Sequence, residues 1–213
     1  MKRTSMMRMA LAVAAIAWIA AGVPSADAEE LTTTRPAGRG GTWDVYLPVN
    51  FAESATIDGK NGSRVDVNAG TGFGFGAGYN FNEHFQVNGL FSWNVRSFDA
   101  MAGTTQYSNY MNTSVLMVSG VYYVLKGNIT PFVSGGIGIA KVDANIEGGP
   151  GTGTYVPSKT ENDMTYSAGI GVRYDISPQF SMQGSYNKAW IDMSQASSTP
   201  DFGVWRLDLI FPM

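Results

Sequence analysis

From Trp43 onward, large apolar residues recur at every second position, and glycine, small, polar or charged residues fill the positions between them. A period of two places the two sets on opposite faces of extended strands. One face carries almost no charge; its exceptions, Lys141 and Lys188, fall near segment ends. The other mixes Gly, Ser, Asn and Gln with Asp44, Asp66, Arg173, Asp175, Arg206 and Asp208. Ionised groups packed in a dry core are costly unless paired. A fold that turns the polar face inward and the apolar face outward is therefore the inverse of a soluble barrel or sandwich, and is the arrangement of a barrel in lipid.

Eight segments carry the alternation, at residues 43–51, 65–81, 85–95, 113–125, 131–142, 164–176, 180–190 and 203–211. In the second, Val65, Val67, Phe73, Phe75, Tyr79 and Phe81 alternate with Asp66, Asn68, Gly70, Gly72, Gly74, Gly76, Gly78 and Asn80. Glycines on one wall of a narrow lumen leave room for Tyr46, Arg173 and Arg206 reaching from the others. The fourth is ambiguous: Val115, Met117, Val121 and Tyr123 share one face, while Leu116, Val118, Tyr122 and Val124 share the other. Connections alternate in length. Residues 82–84, 126–128 and 177–179 are tight turns; residues 52–64, 96–112, 143–163 and 191–202 are long loops rich in Gly, Ser, Thr and Asn. These features predict an all-β chain: an eight-stranded antiparallel up-and-down transmembrane β-barrel over 43–213, with short turns and both termini periplasmic and four long loops outside the cell. Aromatic residues gather at the expected strand ends. Trp43, Tyr79, Phe85, Tyr123, Tyr174, Phe180 and Phe211 form one expected girdle, and Phe51, Trp93, Trp190 and Trp205 the other.

Residues 1–28 read as a secretory leader. Lys2, Arg3 and Arg8 precede an apolar run over 9–23, and Ala26-Asp27-Ala28 supplies a small-residue cleavage site. Export through the Sec pathway and an outer-membrane location in a Gram-negative cell follow as expectations. Residues 29–42, polar and rich in Thr, Pro, Arg and Gly, are expected to be a flexible periplasmic segment. The absence of cysteine excludes a disulfide framework, thiol catalysis and a lipoprotein cysteine. The whole chain has 14 basic and 17 acidic residues; the leader holds Lys2, Arg3 and Arg8 against Asp27, which leaves 11 and 16 and a net charge of −5. That balance disfavours nucleic acid as a partner.

Chemistry has few candidates. His84 is the single histidine and stands in an expected turn, away from the long loops. The run Asp143-Ala144-Asn145-Ile146-Glu147 lacks the carboxylate spacing of a calcium loop. The Gly72-x-Gly74-x-Gly76 run lies inside a strand with no helix after it, so it is no nucleotide fingerprint. No catalytic residue, metal or cofactor is expected. The lumen carboxylates and arginines read first as an internal network that stiffens the barrel, and second as a narrow ion path.

The segment Thr130-Pro131-Phe132-Val133-Ser134-Gly135-Gly136-Ile137-Gly138-Ile139-Ala140 is similar to a turn-to-strand motif of the small outer-membrane β-barrel families, which include the OmpA transmembrane domain, OmpX-like and opacity-type proteins. The resemblance covers nearly all of the chain after the leader. It implies the barrel fold and contact with outer-membrane lipids and lipopolysaccharide. It also implies handling by the barrel-assembly machinery and a surface ligand met through the loops. A small-solute conduit and a lipid-acting enzyme are the alternatives the fold allows. The family commonly ends in an aromatic residue, whereas here Phe211 is followed by Pro212 and Met213.

Overall fold

The computed structural model describes residues 38–58, 64–102, 105–144, 161–192 and 200–213; at 100–102, 105–107, 109, 144 and 161–162 it describes the backbone alone. The leader, residues 29–37 and the middles of the long loops lie outside the described residues.

Ten strands form one sheet: β1 (Thr42–Ala52), β2 (Ala55–Asp58), β3 (Arg64–Val67), β4 (Gly70–Asn80), β5 (Phe85–Ala102), β6 (Thr105–Tyr123), β7 (Ile129–Ala144), β8 (Glu161–Ser177), β9 (Phe180–Ile191) and β10 (Asp201–Pro212). The order is β2-β3-β5-β4-β1-β10-β9-β8-β7-β6, and β5 pairs with β6 to close it. Eight of these strands, β1 and β4 to β10, are the staves of a closed antiparallel barrel. Closure leaves no stave with an unpaired edge, which lipid requires. The first and last staves zip together, with Val45 opposite Phe211 and the backbones of Trp43 and Met213 exchanging hydrogen bonds of 3.3 and 2.7 Å. The alternation therefore runs through Phe211 despite the two residues after it.

The outer surface is apolar. Phe73, Phe75, Leu116, Ile137 and Ile139 are each half exposed or more, in line with Leu47, Val49, Val133, Ile170 and Leu207. A belt of that size on a soluble protein would drive association; in a bilayer it is solvated by acyl chains.

Three features differ from the sequence expectation. Residues 65–81 are two strands. Val67 pairs with Phe98 and Thr71 with Val95, so four steps along one strand match three along β5. This is a bulge at Asn68 and Ala69, held by the Asn68 N–H donating to the Ser97 carbonyl at 2.9 Å. A one-residue slip reverses the faces. Val67 turns in and is buried, while Asp66 turns out of the lumen. Next, much of the expected loop 96–112 is strand: β5 has 18 residues and β6 has 19, beyond the nine to eleven or so that a bilayer needs. Finally, β6 takes the phase that buries Tyr123 and exposes Tyr122, Leu116 and Val118.

The glycine row answers a closer neighbour than expected. A Cβ on Gly72 or Gly74 would meet the backbone carbonyl oxygen of Trp93 or Phe91 on β5, and one on Gly78 would stand 3.1 Å from Gln86 Cδ. The row lets β4 and β5 coil tightly on their inner side, and a Cβ on Gly70 would also meet the Arg96 side chain.

Candidate functional site

The lumen divides into two levels. At the turn end it is filled. Arg173 on β8 is fully buried. Its Nη1 donates to Asp44 Oδ2 at 2.5 Å, its Nη2 to Asp44 Oδ1 at 3.4 Å, and its Nε to Asp175 Oδ1 at 2.8 Å. Asp44 comes from β1, across the barrel, and Asp175 from the same strand as the arginine, two residues on and hence on the same face. Asp44 Oδ2 also accepts from Asn80 Nδ2 at 3.0 Å and Gln86 Nε2 at 2.8 Å. The Tyr46 hydroxyl donates to Gln86 Oε1 at 2.7 Å, and the Ser181 hydroxyl to Asp175 Oδ1 at 2.6 Å. Shared acceptors and charge-assisted bonds of this kind offset the desolvation of the ions.

Arg39 completes this layer. Gly38 and Gly41, at φ 47° and 79°, turn the chain across the barrel end. Arg39 between them is 1% exposed. Its guanidinium lies 4.3 Å from the centre of the Tyr123 ring, its Nη2 donates to Thr130 Oγ1 at 3.1 Å, and its Nε is 4.0 Å from Asp175 Oδ2. Two arginines thus meet two aspartates and the layer is neutral. At the described end of the segment 29–42, from Gly38 on, Arg39 meets a buried acceptor and an aromatic face.

Nearer the loop end, Arg206 Nε donates to Asp208 Oδ2 at 3.0 Å, and Gln183 Nε2 donates to the same oxygen at 3.0 Å. Above this pair lies a cavity of about 100 Å³. Asn94, Arg96, Thr113 and Thr165 give it polar walls, and Leu90, Val115 and Phe202 apolar ones. Over its mouth, the β2–β3 hairpin packs Val67 against Phe98 and Met111, and Ile57 against both that group and the Ile191–Phe202 group opposite.

Of the expected lumen set, Asp44, Arg173, Asp175, Arg206 and Asp208 face inward together, and Asp66 does not. Asp66 accepts from Arg64 Nε at 3.2 Å and from Thr56 Oγ1 at 2.7 Å on the exposed hairpin, because the bulge reverses its face. Of the expected girdle, Tyr123 is a lumen residue, because its hydroxyl and ring serve the arginines. Trp43, Phe51, Tyr79, Phe85, Trp93, Tyr174, Phe180, Trp190, Trp205 and Phe211 stand on the outer face. At the turn end Trp43 and Tyr79 meet at 5.1 Å and Phe180 and Phe211 at 5.6 Å; at the loop end Tyr186 and Trp205 meet at 4.9 Å, and Trp205 Nε1 donates to Glu53 at 3.2 Å. His84 sits in its turn, with Nδ1 2.8 Å from the Tyr123 carbonyl oxygen and its ring stacked on Tyr122.

Sequence reasoning missed Arg39 and Arg96. Arg96 continues the inward phase of Asn88 and Asn94, so extending the third segment would have found it. Nothing in the local pattern marks Arg39.

Residues 11–209 match the model of a family described as the outer membrane protein beta-barrel domain. No curated protein matches the sequence. Among solved structures, the chain is similar to the outer membrane protein OprG from Pseudomonas aeruginosa, at 14% identity over 84% of this chain and 98% of that one, with a TM-score of 0.54. Neisserial surface protein A is similar at 11% identity over 79% and 96%, with a TM-score of 0.53. The outer membrane protein AlkL, solved in lipid bilayers, is similar at 14% identity over 84% and 92%, with a TM-score of 0.51. Identities this low speak to the fold, and the family match covers most of the chain, into the last stave. The chain belongs to the outer membrane protein beta-barrel domain family.

Proposed function

We propose that this protein is a non-conducting outer-membrane anchor whose loop end projects from the cell and meets lipopolysaccharide and a surface ligand. The observation that carries the reading is the filled layer around Arg173: Arg39, Asp44, Tyr123 and Arg173 are each at most 1% exposed, across the whole width of the lumen. An ion path would have to break these bonds at every passage. Function then moves to what stands beyond the membrane, as it commonly does on rigid scaffolds. The β5–β6 hairpin extends the sheet past the apolar belt, with Ser97 Oγ and Asp99 Oδ2 accepting from Asn68 Nδ2 of the neighbouring bulge and Tyr110 open to solvent. The long loop within 143–163 is the second contact candidate. In this reading both termini are periplasmic, the chain is exported as a Sec substrate and folded by the barrel-assembly machinery, and the barrel performs no catalysis.

The test is electrical. Mature protein in planar bilayers is expected to give no steady conductance; a steady, reproducible channel from the unaltered protein would overturn the reading. Orientation is tested separately. An epitope at 148–153 is expected to be reached by antibody on intact cells and one at Gly127 is not; equal or reversed access would overturn it.

A further inference from the structure

We infer that the chamber at the loop end of the lumen is a binding site for a small organic monoanion, a monocarboxylate with a short apolar body. Arg96 projects into it from β5 and is 94% buried, being 6% exposed. Its Nε has no hydrogen-bond partner. Among the described residues no carboxylate pairs with it; its neighbour is the Phe202 ring, with the guanidinium carbon 5.2 Å from the ring centre. The contrast with the layer below is informative. There, every arginine has an aspartate within 4.0 Å; here, a buried guanidinium has an aromatic face and open volume. A buried cation without a counter-ion is costly, and a planar carboxylate is the anion its fork fits best.

The rest of the chamber sets the class further. Arg206, the other cation on its wall, already gives its Nε to Asp208. One uncommitted cation therefore asks for one negative charge, which disfavours a phosphate or sulfate dianion. Leu90, Met111, Val115, Met117, Ile191 and Phe202 line much of the remaining wall and suit a short hydrocarbon body. Asn94 Oδ1, two residues from Arg96 on the same face, is also buried without a donor. The filled layer beneath leaves the loop end as the route of exchange. The site does not depend on whether the barrel contacts a surface ligand.

Calorimetric titration of the mature protein in zwitterionic-lipid nanodiscs, with empty nanodiscs as the blank, tests this. Hexanoate, ionised at pH 7, is the probe, and hexanamide is its neutral match. Saturable one-site binding of hexanoate is expected, with hexanamide at least about tenfold weaker. Arg96→Gln is expected to weaken hexanoate by a similar factor, while Arg64→Gln on the exposed hairpin leaves it unchanged; one charge-assisted contact is of that size. Equal affinity for acid and amide, no saturable binding, or unchanged binding by a folded Arg96→Gln would overturn the inference. Chloride competing as strongly as hexanoate would overturn the organic class. Should Arg96→Gln fail to fold, the acid–amide comparison on the unaltered protein decides alone.

Discussion

Tyr122 and Tyr123 are adjacent and chemically identical, yet one faces lipid and the other is the most enclosed aromatic in the lumen. What separates them is Arg173 and Arg39, whose guanidiniums lie 5.9 and 4.3 Å from the Tyr123 ring. Side chains from β8 and from the segment before β1 thus decide the phase of β6. The same centre gives a residue-scale prediction. Arg173→Met leaves Asp44 buried without its cation, and removing one partner of a buried pair costs about 3–5 kcal/mol. Urea unfolding of the refolded barrel is expected to show a loss of that order. Because the two residues share one interaction, Arg173→Met with Asp44→Asn is expected to cost less than the two single changes added together. Strict additivity would mean that the charges do not act as a unit.

At the scale of elements, the bulge between β3 and β4 makes a prediction that an unbroken strand would reverse. Val67 is buried against Phe98 and Met111, whereas Asp66 is bonded at the exposed surface. Val67→Asp places an unpaired carboxylate in an apolar group and is expected to cost more than about 2 kcal/mol; Asp66→Val changes a surface site and is expected to cost within about 0.5 kcal/mol. Thermal denaturation of both variants checks the order. The reverse order would restore a continuous strand through Asn68. The β4–β5 coil is tested by Gly74→Val. Its side chain would meet the Phe91 carbonyl, and forced overpacking of this kind costs about 1–3 kcal/mol. A stable Gly74→Val barrel with unchanged unfolding would mean that the two strands lie farther apart.

For the whole molecule, closure and the filled lumen should act together. A barrel with every stave paired and its interior bonded resists detergent until heated. Unboiled mature protein is expected to migrate at a different apparent mass from boiled protein in an SDS gel. Arg173→Met is expected to lose the folded band at a lower temperature than the unaltered protein. A single band at all temperatures, from protein free in the periplasm, would contradict a lipid-facing outer surface.

The number of barrel staves, the antiparallel plan and the apolar outer face were legible in the sequence, because a period of two needs only near neighbours to be read. Phase was legible wherever one face carried a charge or a row of glycine, as in β1, β4, β8 and β10. It was not legible in β6, where both faces are apolar, nor across the bulge, where one extra residue reverses the faces without changing the composition. Asp44, Arg173 and Asp175 could be assigned to one lumen from alternation, but their joining into one ion-pair layer required the barrel to close. Arg39 was decided by tertiary structure alone, whereas the inward phase of Arg96 follows from alternation and only its surroundings required the closed barrel. Arg39 is held by acceptors on β7 and β8, far away in sequence, and Arg96 lies against the Phe202 ring of β10. Local pattern sets which way a residue can point; what it meets there is set by strands that come together only when the sheet shuts.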